Sequence, residues 1–281
     1  MLQRRLVGAI AVVAALCVPL CAADAFDDSK YPNFKGQWIR DVKVGAPIWP
    51  AKEAPLTPEY RAIYEENLKN QAEGGPSNWP STYCIPQGMP AMMNLFDPME
   101  IVITPETTYI LISHINDSYR RIFTDGREWP STEEVEPTYA GYSIGRWVDE
   151  DGDGRFDVLE VETRHLAGPR AYDVTGLPLH RDNQSIIKER IYLDKTNPDV
   201  LYDDITVIDH ALTRPWTLQK KALRSKSPRP VWPSDLCNDE NNSMVRIGKE
   251  TYFRNQDRLL MPLKKGQNPP DLRFFNQTPP K

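Results

Sequence analysis

The sequence predicts a mainly β protein, an antiparallel barrel or sandwich with one helix in its N-terminal part. Three observations carry that expectation. From residue 99 onward, short runs rich in Ile, Val, Tyr and Thr alternate with Asp, Asn, Gly and Pro turns. The 26 prolines are scattered along the chain, which favours short strands and ordered loops over long helices. Only one stretch combines a helix start signal with apolar residues at helical spacing.

The first residues read as a secretory leader. Arg4 and Arg5 form a charged start, residues 6–20 are almost wholly apolar, and Ala23-Asp24-Ala25 matches the small-x-small cleavage rule, so the mature chain is expected to begin at Phe26. An apolar run of about 15 residues is short of the roughly 20 that a bilayer-spanning helix needs, which favours cleavage over anchorage. Leu16 before Cys17 and Leu20 before Cys21 do not suit a lipid-attachment site. The expected destination is the periplasm or the cell exterior. About 256 residues remain after residues 1–25 are removed, enough for one large domain or two small ones. Their net charge of about −6, without basic clusters, argues against nucleic acid and against an anionic membrane surface.

Residues 26–98 form an irregular and helical N-terminal segment. Gly36-Gln37-Trp38 is either an ordinary core tryptophan after a turn or the opening of a lipocalin-like barrel, in which Gly-x-Trp begins the first strand. Thr57 is placed to cap a helix with Pro58 at its first position. Tyr60, Ile63, Tyr64 and Leu68 then share one face, and Gly74-Gly75-Pro76 ends it. Residues 99–263 form the β domain. Strands are expected at 99–104, 108–115, 119–123, 142–148, 158–163, 185–193, 201–208 and 216–223, with shorter ones at 244–247, 251–253 and 259–261. Residues 264–281 are a polar, Pro-rich tail. Cys84 and Cys237 are the two cysteines outside the leader, and in an oxidising compartment they pair. Closing a loop of about 150 residues contributes up to ~5 kcal/mol through chain entropy.

The sharpest motif is the run Asp149-Glu150-Asp151-Gly152-Asp153-Gly154-Arg155-Phe156-Asp157. Acids at positions 1, 3, 5 and 9, Gly at position 6 and the main-chain carbonyl of Arg155 at position 7 suit Ca²⁺, which takes six to eight hard oxygens. The flanks read as strands rather than as EF-hand helices. The loop therefore resembles the strand-loop-strand calcium loops of FG-GAP repeats, with Asp157 as a ligand. Crowded carboxylates repel one another without a cation. The expected ligands are Asp149, Asp151, Asp153, Arg155 and Asp157, and the role of the ion is structural.

Four histidines are present, His114, His165, His180 and His210. Alternation along 185–193 places Glu189 with Ile187, Ile191 and Leu193 on the inward face. An inward carboxylate is costly unless it is paired or functional, and Arg190 and Arg214 are the basic residues at hand. His180, Glu189, Asp209 and His210 are the candidate acid–base residues. Three His can also ligate a transition metal, but their spacing matches no ligand motif. Residues 89–96, with Met89, Met92 and Met93, form a soft apolar patch that either lines a pocket or packs over the barrel mouth.

Pro55-Leu56-Thr57-Pro58-Glu59-Tyr60, Cys84-Ile85-Pro86-Gln87-Gly88-Met89-Pro90, Arg121-Ile122-Phe123-Thr124-Asp125-Gly126-Arg127, Tyr142-Ser143-Ile144-Gly145-Arg146-Trp147 and Thr213-Arg214-Pro215-Trp216 together resemble a group of uncharacterised secreted proteobacterial proteins. In that group a His often stands in place of Tyr142 and another near Trp129, and a short Gly-Asp turn replaces the acidic loop. The resemblance thus makes the calcium-like loop a feature of this branch, and it implies no activity. Two functional expectations follow from the residues themselves. One is a calcium-stabilised barrel that binds a small, mostly apolar or aromatic molecule. The other is a cofactor-independent lyase, hydratase or isomerase that uses the His and carboxylate candidates.

Overall fold

The computed structural model describes residues 26–41, 53–94, 97–114, 118–168, 171, 172, 175–233, 237, 244–255 and 257–268. The predicted leader and the tail beyond 268 lie outside the described residues.

Nine strands close a barrel in chain order. They are β1 (Gln37–Arg40), β2 (Met99–Ile103), β3 (Thr107–Ile112), β4 (Ser118–Phe123), β5 (Tyr142–Val148), β6 (Val158–Arg164), β7 (Ile186–Leu193), β8 (Val200–Ile208) and β9 (Trp216–Arg224). β9 returns to β1, with Arg224 opposite Trp38 and Ala222 opposite Arg40. Closure removes the exposed edges that an open sheet would leave. One seam departs from antiparallel order: β4 and β5 run parallel, with Ile122 opposite Ser143. Residues 124–141 carry the chain back along the barrel, so β5 starts at the same end as β4. Backbones approach closely there, and a Cβ on Gly145 would lie 2.6 Å from Ile122 Cγ2.

The N-terminal segment is part of the barrel, since β1 closes it and the helix α1 (Pro58–Ala72) covers one end. Thr57 caps α1 by accepting the Tyr60 N–H at 3.4 Å. Tyr64 is buried and Tyr60 and Leu68 pack on the core, but Ile63 is 37% exposed, so the apolar stripe is narrower than its spacing predicts. Strand direction places the described residues of the segments 53–98, 113–114, 165–185 and 209–215 at one mouth, here the upper. The turns 104–106, 149–157 and 194–199 lie at the lower mouth. β10 (Met244–Ile247), β11 (Glu250–Arg254) and β12 (Leu260–Pro262) form a separate three-stranded antiparallel sheet.

Alternation sends one side chain in two into the barrel. Trp38, Ile110, Ile112, Ile122, Leu159, Ile187, Ile191, Ile205 and Val207 fill it and are almost fully buried. Trp38 donates from Nε1 to the Phe34 carbonyl at 2.9 Å, beneath the Arg224 guanidinium, 4.2 Å from its ring. Met89, Met92 and Met93 are buried over the upper mouth, which makes the methionine patch a plug of the core. A disulfide joins Cys84 and Cys237 across 153 residues, with a Cα–Cα distance of 5.4 Å. It fastens the upper cap to the C-terminal segment, and such a bond belongs to an oxidising environment.

Candidate functional site

The barrel interior holds charge as well as hydrocarbon. Glu189 and Arg120 are fully buried and face each other, with Arg120 Nη1 donating to Glu189 Oε1 at 2.7 Å and Nη2 to Oε2 at 2.5 Å. Arg120 also donates to Thr163 Oγ1 at 2.7 Å and to Ser143 Oγ at 3.2 Å. The inward orientation of Glu189 follows the alternation, but neither Arg190 nor Arg214 neutralises it. Arg190 points outward to Glu150, and Arg214 donates to the Pro215 carbonyl on the surface. Glu189 therefore does not take the acid–base role expected of it, because a bidentate guanidinium occupies its carboxylate.

Asp203 and Lys220 stand opposite each other on β8 and β9 and are buried. Among the described residues neither carboxylate oxygen of Asp203 has a hydrogen-bond partner. Burial pushes its carboxyl well up and the Glu189 charge adds to that, against Arg120 and Lys220. Both residues border a cavity of about 30 Å³ under Met92 and Met93. Ligand pockets usually span about 300–1,000 Å³, so this one is too small for an organic ligand.

A second cluster forms at the upper mouth. The 165–185 connection delivers His180 and Asp182, the 209–215 turn delivers Asp209 and His210, and the first turn of α1 delivers Tyr60. Two backbone hydrogen bonds lock α1 to that turn, Thr57 N–H to the Ala211 carbonyl at 2.9 Å and Thr213 N–H to the Pro55 carbonyl at 2.7 Å, and together they make the bridge between Leu56 and Leu212. Asp209 is a clamp. Its Oδ1 accepts the N–H groups of His180 at 2.9 Å and Ala211 at 2.8 Å, and its Oδ2 accepts the Ser185 hydroxyl. These bonds hold the two histidine-bearing segments together.

His180 and His210 both turn Nδ1 toward Asp182 Oδ2, His180 at 3.1 Å and His210 in closer contact. The rings are 5.5 Å apart and nearly perpendicular, and the Tyr60 ring lies 5.4 Å from that of His180. Burial works to raise the Asp182 carboxyl, but the Gln184 N–H and the two imidazoles outweigh it and hold it below the usual carboxylate range. The Tyr60 hydroxyl is raised by burial and by the negative charges of Glu59, Asp209 and Asp182. His180 is 35% exposed and His210 63%, so the cluster opens to solvent while its shared carboxylate, at 20%, is sheltered. His210 Nδ1 hydrogen-bonds the carboxylate, so that ring carries its N–H there and keeps Nε2 as the basic nitrogen, whereas His180 Nδ1 faces the same oxygen at 3.1 Å outside hydrogen-bond geometry. Two histidines and one carboxylate within 4.8 Å of one another also suit a divalent transition metal.

Three of the four candidate acid–base residues, His180, Asp209 and His210, thus meet in one place, and Glu189 does not join them. Asp182 and Tyr60 escaped the sequence reading. Asp182 lies two residues after His180 but reads as a turn residue, and Tyr60 reads as part of the apolar stripe of α1.

At the lower mouth the acidic loop is a β5–β6 hairpin. Asp149, Asp151 and Asp153 each offer an oxygen within 4.8 Å of the others. Asp149 accepts the N–H groups of Gly152 at 2.7 Å and Gly154 at 2.9 Å, while Asp157 accepts that of Glu150 at 2.8 Å. Gly152 has φ +77°, a left-handed turn that suits glycine. The Arg155 N–H bonds Asp153 at 2.8 Å.

Among the described residues no helix is long and apolar enough to cross a membrane. No protein-family model, curated protein or solved structure matches the chain.

Proposed function

We propose that this chain is a periplasmic or secreted acid–base enzyme, a lyase, hydratase or isomerase acting on a small, mostly apolar or aromatic molecule at the upper mouth of the barrel. The convergence of His180 and His210 on the single carboxylate of Asp182 carries this reading. One imidazole takes a proton from the substrate at Nε2 and the other returns one, while Asp182 stabilises whichever ring is cationic. Asp209 sets the separation of the two rings, and the Tyr60 ring supplies an apolar wall. Such a pair needs no redox cofactor.

The acidic loop serves the same enzyme as a Ca²⁺ site, with Asp149, Asp151, Asp153 and Asp157 giving carboxylates and Arg155 its carbonyl. Its place at the opposite mouth from the histidines supports a structural role. An apolar ligand held inside the barrel receives less support, because the interior is filled by side chains and its cavity is about 30 Å³.

Proton transfer leaves a trace even when the substrate is unknown. The mature protein is incubated in D₂O with a pool of small carbonyl, enol and hydroxy compounds, and mass spectrometry reads deuterium uptake. The expected result is exchange into one chemical class, reduced at least about a hundredfold by His180→Ala and by His210→Ala. Exchange that persists in both variants removes the cluster from the chemistry.

A further inference from the structure

A third constellation lies at the upper mouth and takes no part in the His180–His210 cluster. Ser81 sits in the short helical turn Pro80–Tyr83, just before Cys84. His114 follows β3, and Asp97 precedes β2. Ser81 Oγ lies 3.3 Å from His114 Nε2, and His114 Nδ1 lies 2.5 Å from Asp97 Oδ2. The Gln87 side-chain amide donates to Ser81 Oγ, and Gln87 Oε1 is buried without a hydrogen-bond partner among the described residues. The disulfide holds this turn in place, since Cys84 is three residues on and Cys237 Sγ lies 3.8 Å from the Ser81 carbonyl.

Each atom is the one nucleophilic catalysis requires. The carboxylate takes the Nδ1–H, so Nε2 carries the lone pair, and the hydroxyl faces Nε2. We propose that Ser81, His114 and Asp97 form an acyl-transfer site that hydrolyses small carboxylic esters. This goes beyond the acid–base reading and stands on different residues. Ser81 Oγ attacks the ester carbonyl carbon while its proton passes to His114 Nε2. The bond to the alcohol oxygen breaks, and the alcohol leaves with that proton. Water then attacks the acyl-serine, gives a proton to Nε2, and the carboxylic acid departs as Ser81 recovers its hydrogen. Ser81 and His114 are the catalytic residues, and Asp97 is a positioning residue that fixes the imidazole tautomer. A single side-chain amide beside the nucleophile gives limited help to a developing oxyanion. That restricts the class to esters, whose leaving groups depart readily, rather than amides. Ser81 is 8% exposed, while the His114 and Asp97 side chains are 17% and 27% exposed, so the site is approached from the imidazole side.

The test uses the mature, disulfide-bonded chain, a fluorophosphonate probe and p-nitrophenyl acetate. The expected result is one covalent adduct mapped to Ser81 and a burst of p-nitrophenolate, both absent in Ser81→Ala. His114→Gln lowers the labelling rate at least about a hundredfold. Asp97→Asn lowers it as well and shifts the midpoint of its pH–rate profile, and Asp97→Glu restores part of the rate. Circular dichroism establishes that each variant is folded, and His114→Gln decides the matter if Ser81→Ala fails to fold. No adduct on the parent protein, an adduct elsewhere, or equal labelling of His114→Gln overturns the proposal and leaves the trio as a clasp between the cap and the β3–β4 turn.

Discussion

At the residue scale, buried charge separates structural from chemical roles. Glu189 and Arg120 satisfy each other inside the barrel, so removing one strands the other. Glu189→Ala and Arg120→Ala are each expected to cost about 3–5 kcal/mol in urea unfolding. Proton exchange per folded molecule should stay intact in the Glu189 variant, unlike in the histidine variants. Asp203 makes the opposite case, because its carboxyl is raised in the fold by burial and by Glu189. A group whose folded value is raised gives its stability below its unfolded value, about 4 for an aspartate, and loses it as pH rises toward the folded value. Asp203→Asn, which carries no such proton, should therefore gain melting temperature over the parent chain as pH goes from 5 to 8. A constant difference across that range would mean that Asp203 titrates normally. Glu189 pointed inward in the sequence alternation, but its partner was not legible there, because Arg120 lies 69 residues away on a strand whose register is set by the shear of the barrel.

At the element scale, local patterns translated well and long-range placements did not. The eleven expected strands all form, with small changes at their ends, because β-branched alternation and turn residues are local signals. β1 was visible only as a Gly-x-Trp, since four residues with one buried tryptophan carry little periodicity. The parallel β4–β5 seam had no local signature at all. α1 follows from Thr57 and Pro58, and its cap has a second task of anchoring the 209–215 turn beneath the histidines. Thr57→Ala should cost about 1 kcal/mol of stability and lower exchange activity as the Tyr60 turn of the helix loosens, while the main-chain bond from residue 57 to Ala211 remains. The acidic hairpin makes a separate prediction. Calcium should raise the melting temperature and a chelator lower it, as expected for a ligand that binds only the folded state. Asp149→Asn, which weakens the oxygen cage, should abolish both shifts, and a melting temperature indifferent to calcium and chelator would remove the ion from the account.

At the scale of the whole molecule, the barrel is a scaffold with different work at its two ends. The lower mouth carries the acidic loop, and the upper mouth gathers the cap, the disulfide and the titratable clusters. Cys84 and Cys237 were legible as a pair because only one pairing was open to them, and the bond now appears as the tie that holds the cap down. The upper clusters were only half legible. His180, Asp209 and His210 stood out by residue type, but Asp182 read as a turn residue, and Ser81, His114 and Asp97 come together only when separate connections fold over the same mouth. Reduction of the disulfide should cost up to ~5 kcal/mol in unfolding experiments and slow fluorophosphonate labelling of Ser81 more than it slows proton exchange.

The central claim is that His180 and His210 act as one unit through Asp182. A double-mutant cycle on the deuterium-exchange rate tests it most directly, with His180→Ala, His210→Ala, the double variant and Asp182→Asn compared on the same compound pool. Residues of one catalytic unit are strongly non-additive. The double variant is expected to be no slower than the slower single variant, and Asp182→Asn to fall alongside them. Multiplicative losses, or an Asp182→Asn variant with the parent rate, would contradict the account and leave two surface histidines that share a neighbour without sharing a reaction.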